Sequence, residues 1–222
     1  LRIDKIKEIR PDVDQVDIDG KAILFESGIY AKIPTDLPEK LALSALDVAG
    51  APAQTAKLVK PGDTVLIIGA GGKSGMLCCY EAMKRAGVTG KVIGLCHSQK
   101  SADRLKALGF CHTVFTADAT QPVPVMEKIS ELTGGQMCDV TINNVNIPDT
   151  EMTSILCTKN DGVVYFFSMA TSFTKAALGA EGVGSDVTMI VGNGYTKGHA
   201  EITLQELREN EALRKIFTDL YA

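Results

Sequence analysis

Residues 63–75 read Asp-Thr-Val-Leu-Ile-Ile-Gly-Ala-Gly-Gly-Lys-Ser-Gly, an apolar, β-branched run that passes directly into a glycine-rich turn and then into a helical pattern. Few folds accommodate that order. A short run that is apolar at every position suits a strand covered on both faces, as in a parallel sheet whose strands are joined by crossover helices. Gly69 permits the tight turn, and Gly71 lets backbone approach a ligand closely. The N–H groups that open the following helix have no acceptor of their own and form a partly positive end. Such a turn cradles the diphosphate of a dinucleotide. Gly69, Gly71, Gly72, Lys73, Ser74 and Gly75 are therefore the first candidate binding residues.

The same unit recurs along the chain. Strands expected at 64–69, 91–96, 113–115, 139–143, 162–168 and 187–192 alternate with helices expected at 73–86, 100–108, 122–132, 149–158 and 204–221. This alternation predicts an α/β fold, a doubly wound parallel sheet of the Rossmann kind. Ahead of it, 22–33 reads as two short strands broken at Gly28, and 39–60 as a helix with a break at 50–52. The opening residues mix apolar and acidic side chains without a helical face. The chain opens on Leu1 rather than Met, so a preceding part of a larger protein is expected.

Composition and spacing exclude several classes. With 222 residues, 45% of them apolar, the chain builds a sizeable core, while a net charge of −4 and the lack of Trp give no footprint for nucleic acid. No apolar run approaches the roughly 20 residues of a membrane span, and a cytoplasmic location with no membrane partner is expected. The six cysteines lack C-x-x-C spacing and read as reduced core thiols. Asp47, His97, His112 and His199 show no metal-ligand spacing, so no metal is expected. Gly72-Lys73-Ser74 imitates the end of an ATPase phosphate loop, but that motif needs glycine where Ile67 stands. No nucleophile elbow or paired carboxylates support a hydrolase.

The second strand ends in Cys96-His97-Ser98-Gln99-Lys100, with no carboxylate for the ribose hydroxyls of an adenosine. NAD is the expected cofactor. NADP stays open, because His97, Ser98 and Lys100 suit a 2′-phosphate. The last three strands end in Asn143-Asn144-Val145, Ser168-Met169-Ala170 and Gly192-Asn193-Gly194-Tyr195. Ligands of open α/β sheets lie beyond such carboxyl ends, which makes Asn143, Asn144, Ser168, Met169, Gly192 and Asn193 candidates for the nicotinamide side.

Taken together, Tyr30-Ala-Lys-Ile-Pro-Thr-Asp-Leu-Pro, Lys60-Pro-Gly-Asp-Thr-Val-Leu-Ile-Ile-Gly-Ala-Gly-Gly, Asp103-Arg-Leu-Lys-Ala-Leu-Gly and Cys138-Asp-Val-Thr-Ile-Asn resemble the cofactor half of the medium-chain dehydrogenase/reductase superfamily, over about 30–195. Cys78-Cys79, Asn143-Asn144-Val145 and Phe166-Phe167-Ser168-Met169-Ala170-Thr171 narrow the resemblance to its branch that oxidises 3,5-diaminohexanoate in lysine fermentation. The resemblance implies that 1–45 is the tail of a GroES-like substrate domain, 46–200 the dinucleotide-binding domain and 201–222 a C-terminal helical segment. It implies an amino acid dehydrogenase with a small diamino acid substrate, and a homodimer joined where the strand at 187–192 would leave an exposed edge. Deamination requires a general base; Tyr195 and His199 are the nearest titratable candidates. Two rival expectations share the fold: a zinc-independent quinone or enoyl reductase, and a non-catalytic NAD(H)-sensing module.

Overall fold

The computed structural model describes residues 1–13, 15–192 and 194–222, in two compact units, Leu1–Lys32 and Ile33–Ala222. The first unit is an antiparallel hairpin, β1 (Arg2–Arg10) with β2 (Gln15–Lys21). It is an element the sequence reading did not resolve. Its ladder carries cross-strand ion pairs, with Arg10 on Asp17 at 2.7 Å and Lys7 on Asp19. The two strands expected within 22–33 are absent: this stretch is irregular, with Gly28 closing a turn onto the Phe25 carbonyl at 2.8 Å. β-branched and aromatic residues favour a strand only where a ladder partner exists, and none pairs with them here.

The second unit opens with two helices, α1 (Glu39–Leu46) and α2 (Gly50–Leu58), separated by a turn over 47–49. The expected single helix therefore breaks just before Gly50. The chain then alternates: β3 (Thr64–Ile68), α3 (Lys73–Ala86), β4 (Lys91–Cys96), α4 (Gln99–Leu108), β5 (Thr113–Thr116), α5 (Pro122–Thr133), β6 (Cys138–Asn143), α6 (Glu151–Leu156), β7 (Thr158–Phe166), α7 (Phe173–Val183) and β8 (Thr188–Val191). Two closing helices, α8 (His199–Glu209) and α9 (Glu211–Tyr221), replace the single helix expected at 204–221. Asn210 divides them, because it takes an extended conformation and its side chain accepts from the Leu213 N–H at 2.8 Å, capping α9.

All six strands of the sheet run parallel in the order β5-β4-β3-β6-β7-β8. The winding reverses between β3 and β6, and that switch point opens a crevice at the carboxyl ends of both strands. Alternate side chains feed two cores. Val65 and Ile67 face Met76, Leu77 and Ala82 of α3 together with Leu207 and Phe217, whereas Leu66 and Ile68 face Val125 and Ile129 of α5. The all-apolar strand is thus explained by cover on both sides.

One buried polar residue opposes this packing. Glu206 of α8 is fully buried, and neither of its carboxylate oxygens has a hydrogen-bond partner among the described residues. Burial, with Glu81 nearby, holds its carboxyl well above the usual carboxylate range, against the opposing pull of Lys84 and Arg85. An acid whose folded pKa is raised keeps its proton while the unfolded chain has lost it, so stability falls as pH rises above about 4.3, by up to about 1.4 kcal/mol per pH unit. Urea denaturation of Glu206→Gln should show a shallower decline between pH 5 and 8 and a higher midpoint at pH 8 than the parent chain; parallel declines would exclude this assignment.

Candidate cofactor site

The glycine turn owes its shape to packing as much as to any ligand. Gly69 ends β3 at φ +79°, and both its N–H and that of Ala70 donate to the Leu95 carbonyl at 3.0 Å. A Cβ on Gly75 would lie 2.1 Å from the Gly69 carbonyl oxygen, so α3 rests directly on the turn because position 75 has no side chain. Gly71 differs from the expectation that it only makes room for a ligand. A Cβ there would meet Ser101 Cβ at 2.7 Å, so the first turn of α4 already occupies that space. Gly72 caps α3 in an extended conformation without any side-chain cap, leaving the first-turn N–H groups of Lys73, Ser74 and Gly75 without intrahelical acceptors.

Beside the turn lies a cleft of about 270 Å³, lined by Gly69, Leu95, His97, Asp118, Val145 and Ile147 among others. Its walls come from the carboxyl ends of β3, β4, β5 and β6, around the switch point. The Asp118 carboxylate accepts from the Thr120 N–H at 2.9 Å and the Thr120 hydroxyl at 2.7 Å, and these bonds, with a smaller contribution from His97, hold it below the usual carboxylate range. A larger cavity of about 650 Å³, lined by Gln54, Lys57, Arg85, Ile190, Tyr195 and Ile202 among others, includes no residue of the glycine turn. The smaller cleft is the one adjoining the cradle, and its shape and apolar walls suit a flat base.

The other expected residues divide by what already holds them. Ser98 caps α4, its hydroxyl accepting from the Ser101 N–H at 3.3 Å, and Lys100 is exposed on the first turn of the same helix. Asn143 is buried and fully engaged: its amide donates to Thr150 Oγ1 at 2.8 Å and Ser154 Oγ at 2.9 Å, while its oxygen accepts from the Val145 N–H at 3.0 Å. Its side chain shapes the β6 loop instead of reaching outward, a correction to its expected role. Asn144 is different. Its oxygen accepts from the Cys78 thiol at 3.7 Å, and its Nδ2 is a buried donor without a partner among the described residues.

Ser168 is buried and accepts from the Ala170 N–H at 3.1 Å, Met169 is 91% exposed, and Gly192 bends at φ +70°. Asn193 lies outside the described residues. Tyr195 and His199 meet edge-on with ring centroids 5.3 Å apart, and Thr196 beside them donates to Gln54 Oε1 at 2.6 Å. Lys73 turns toward Asp47, donating to its Oδ2 at 2.5 Å, and Arg104 donates to the Gly71 carbonyl at 2.5 Å. Sequence reasoning missed Arg104, Asp118 and Val145. The last two follow expected strands, and that position alone would have nominated them.

The comparisons with known proteins agree with this geometry. The chain is 65% identical over 221 residues to L-erythro-3,5-diaminohexanoate dehydrogenase of Acetoanaerobium sticklandii and 60% identical to that of Fusobacterium nucleatum; both matches cover 100% of this chain and 64% of the relative. Residues 1–34 match the family described as L-erythro-3,5-diaminohexanoate dehydrogenase N-terminal domain, and residues 75–182 the family described as zinc-binding dehydrogenase. Among solved structures, quinone oxidoreductase of Escherichia coli complexed with NADPH shares this fold with a TM-score of 0.57 at 23% identity, over 86% of this chain and 56% of its own.

The donor set does not suit the zinc in that family description, because no three His, Cys, Asp or Glu side chains are grouped as metal ligands among the described residues. A dinucleotide does suit the site: open helix N–H groups, an orphaned amide on Asn144 and an apolar cleft converge at the switch point. Gly75→Ala should lower stability by about 1–3 kcal/mol, the usual cost of overpacking, and weaken dinucleotide binding along with it. Denaturation and a dinucleotide titration on the same preparation check both, and an unchanged denaturation midpoint would refute the packing role.

Proposed function

We propose that the protein catalyses NAD(P)-dependent oxidative deamination of 3,5-diaminohexanoate to 5-amino-3-oxohexanoate, the reaction of an amino acid dehydrogenase in lysine fermentation. The observation that carries this reading is identity of 65% and 60% along the whole chain to two dehydrogenases of that name. The chain spans 64% of the length of these relatives, so the activity of the whole protein is inferred.

In this reading the N–H groups of Lys73, Ser74 and Gly75 hold the diphosphate, with the positive end of α3 behind them. The adenine enters the cleft between Leu95, His97, Asp118 and Val145. His97, Ser98 and Lys100 lie toward its ribose, and Asn144, Ser168, Met169 and Gly192 toward the nicotinamide. Bound there, an oxidised nicotinamide supplies the acceptor for the hydride of the substrate. The protein positions both partners and manages the protons. We also infer a cytoplasmic enzyme, assembled as a homodimer through the β8 edge, with 1–45 as the tail of a substrate domain, 46–200 binding the dinucleotide and 201–222 closing the fold. No helix among the described residues is long and apolar enough to cross a membrane.

The purified full-length protein, mixed with 3,5-diaminohexanoate and NAD, should generate the absorbance of reduced nicotinamide and release ammonium in equal amount. Oxidation of reduced cofactor by quinones or enoyl thioesters with no turnover of the diamine would replace this reading by that of a reductase. NAD is the expected partner, and the absence of a carboxylate after β4 leaves its margin small. A preference for NADP above about tenfold, or roughly 1.4 kcal/mol, would reverse that assignment.

A further inference from the structure

Lys73 is the first residue of α3, directly after the glycine that opens the diphosphate cradle, and the helix dipole disfavours a cation at that end. No acidic residue in the first turn of α3 compensates it. Compensation comes from a different element. Lys73 Nζ donates to Asp47 Oδ2 at 2.5 Å, with Asp47 ending α1, and the same ammonium lies 5.9 Å from the ring centroid of Tyr221, at the end of α9. The Lys73 side chain is 28% exposed and that of Asp47 66% exposed. The bond uses only Oδ2, so Oδ1 is open to a ligand. Three residues beyond Asp47, a Cβ on Gly50 would lie 2.5 Å from Gly194, so the loop after β8 closes against the start of α2.

From this arrangement we infer that Asp47 is the proton-transferring base of the deamination and that Lys73 is the residue that positions it. The inference rests on the proposed function and names the groups that carry its proton steps. A 3-amino group arrives as an ammonium, the cation a carboxylate beside the cradle is suited to bind. Its N–H bond breaks as the proton passes to Asp47 Oδ1, which releases it to solvent. After the two-electron oxidation has left a C=N bond, water forms the new C–O bond and gives its proton to Asp47. Asp47 returns that proton to nitrogen, takes the hydroxyl proton as the C–N bond breaks, and delivers it to the departing ammonia. One carbonyl, one ammonium and one proton leave.

The titratable and charged groups around the pair are Lys73 from α3 and Tyr221 from α9, with Arg104 of α4 acting on Tyr221 from behind. Burial raises the Tyr221 phenol, so it stays neutral across the working range. This contrasts with Tyr195, which lies on the loop after β8 and borders the larger cavity, and with His199 at the start of α8, whose ring meets that of Tyr195.

The test uses the full-length protein. Asp47→Asn should lower kcat/KM for 3,5-diaminohexanoate by about 10²–10⁴-fold, the span typical of general acid–base catalysis, and abolish the acidic limb of the pH profile. Its affinity for NADH, read by fluorescence titration, should stay within about threefold of the parent. Asp47→Glu should restore part of the rate, and Lys73→Met should lower kcat/KM, with Lys73→Arg restoring part of it, because the carboxylate loses the donor that holds it. If Asp47→Asn retains activity and limb, or loses NADH affinity in proportion to rate, the inference is overturned. If the parent protein itself does not oxidise the diamine, the functional reading fails first and takes this one with it.

Discussion

The contact of α3 with the turn after β3 is the constraint on which the rest of this structure depends. The Gly69 carbonyl and the backbone at position 75 approach to a distance that leaves no room for a methyl group. That contact aims the open end of α3 at the switch point, where the winding of the sheet reverses between β3 and β6. The Leu95 carbonyl fixes the turn from the β4 side, and Ser101 fills the space beside Gly71 from α4. The cradle is therefore held from three directions, and its geometry is set before any ligand arrives. Preorganisation of this kind spares a binding site the cost of ordering its own backbone.

Much of this was legible in the sequence, and the physical reason is locality. The strands of the parallel sheet are runs of β-branched residues covered on both faces, and the strand, turn and helix of the cradle are contiguous, so one stretch of thirteen letters, 63–75, encodes them all. Hairpin β1–β2 was not legible because its stability comes from cross-strand pairs such as Arg10 with Asp17, and β1 alone is mostly charged. The break at Asn210 was hidden because an amphipathic pattern runs through it, and only the cap reveals it. At 22–33 the letters favour strands, but a strand without a partner is not one.

The site divides along the same line. Gly69, Gly72 and Gly75 act through their own neighbours, and the sequence placed them. Gly71 was assigned to a ligand, because nothing local shows that Ser101 comes so near. Asn143 looked like a cofactor contact by its position, and three hydrogen bonds to the β6 loop and α6 commit it elsewhere. Lys73 was grouped with the diphosphate, but the structure turns it toward Asp47, a partner 26 positions away. Distant pairings of charge are the part of a site that a single sequence conceals most completely.

Backbone amide exchange, followed by mass spectrometry with and without NAD, reads the cradle directly. If the first turn of α3 holds the diphosphate, the amides of Lys73, Ser74 and Gly75 should exchange more slowly in the presence of the dinucleotide, together with the segment over 117–120 that borders the cleft. Protection confined to other regions, with exchange at 73–75 unaltered by saturating NAD, would contradict the placement of the cofactor and every role assigned around it.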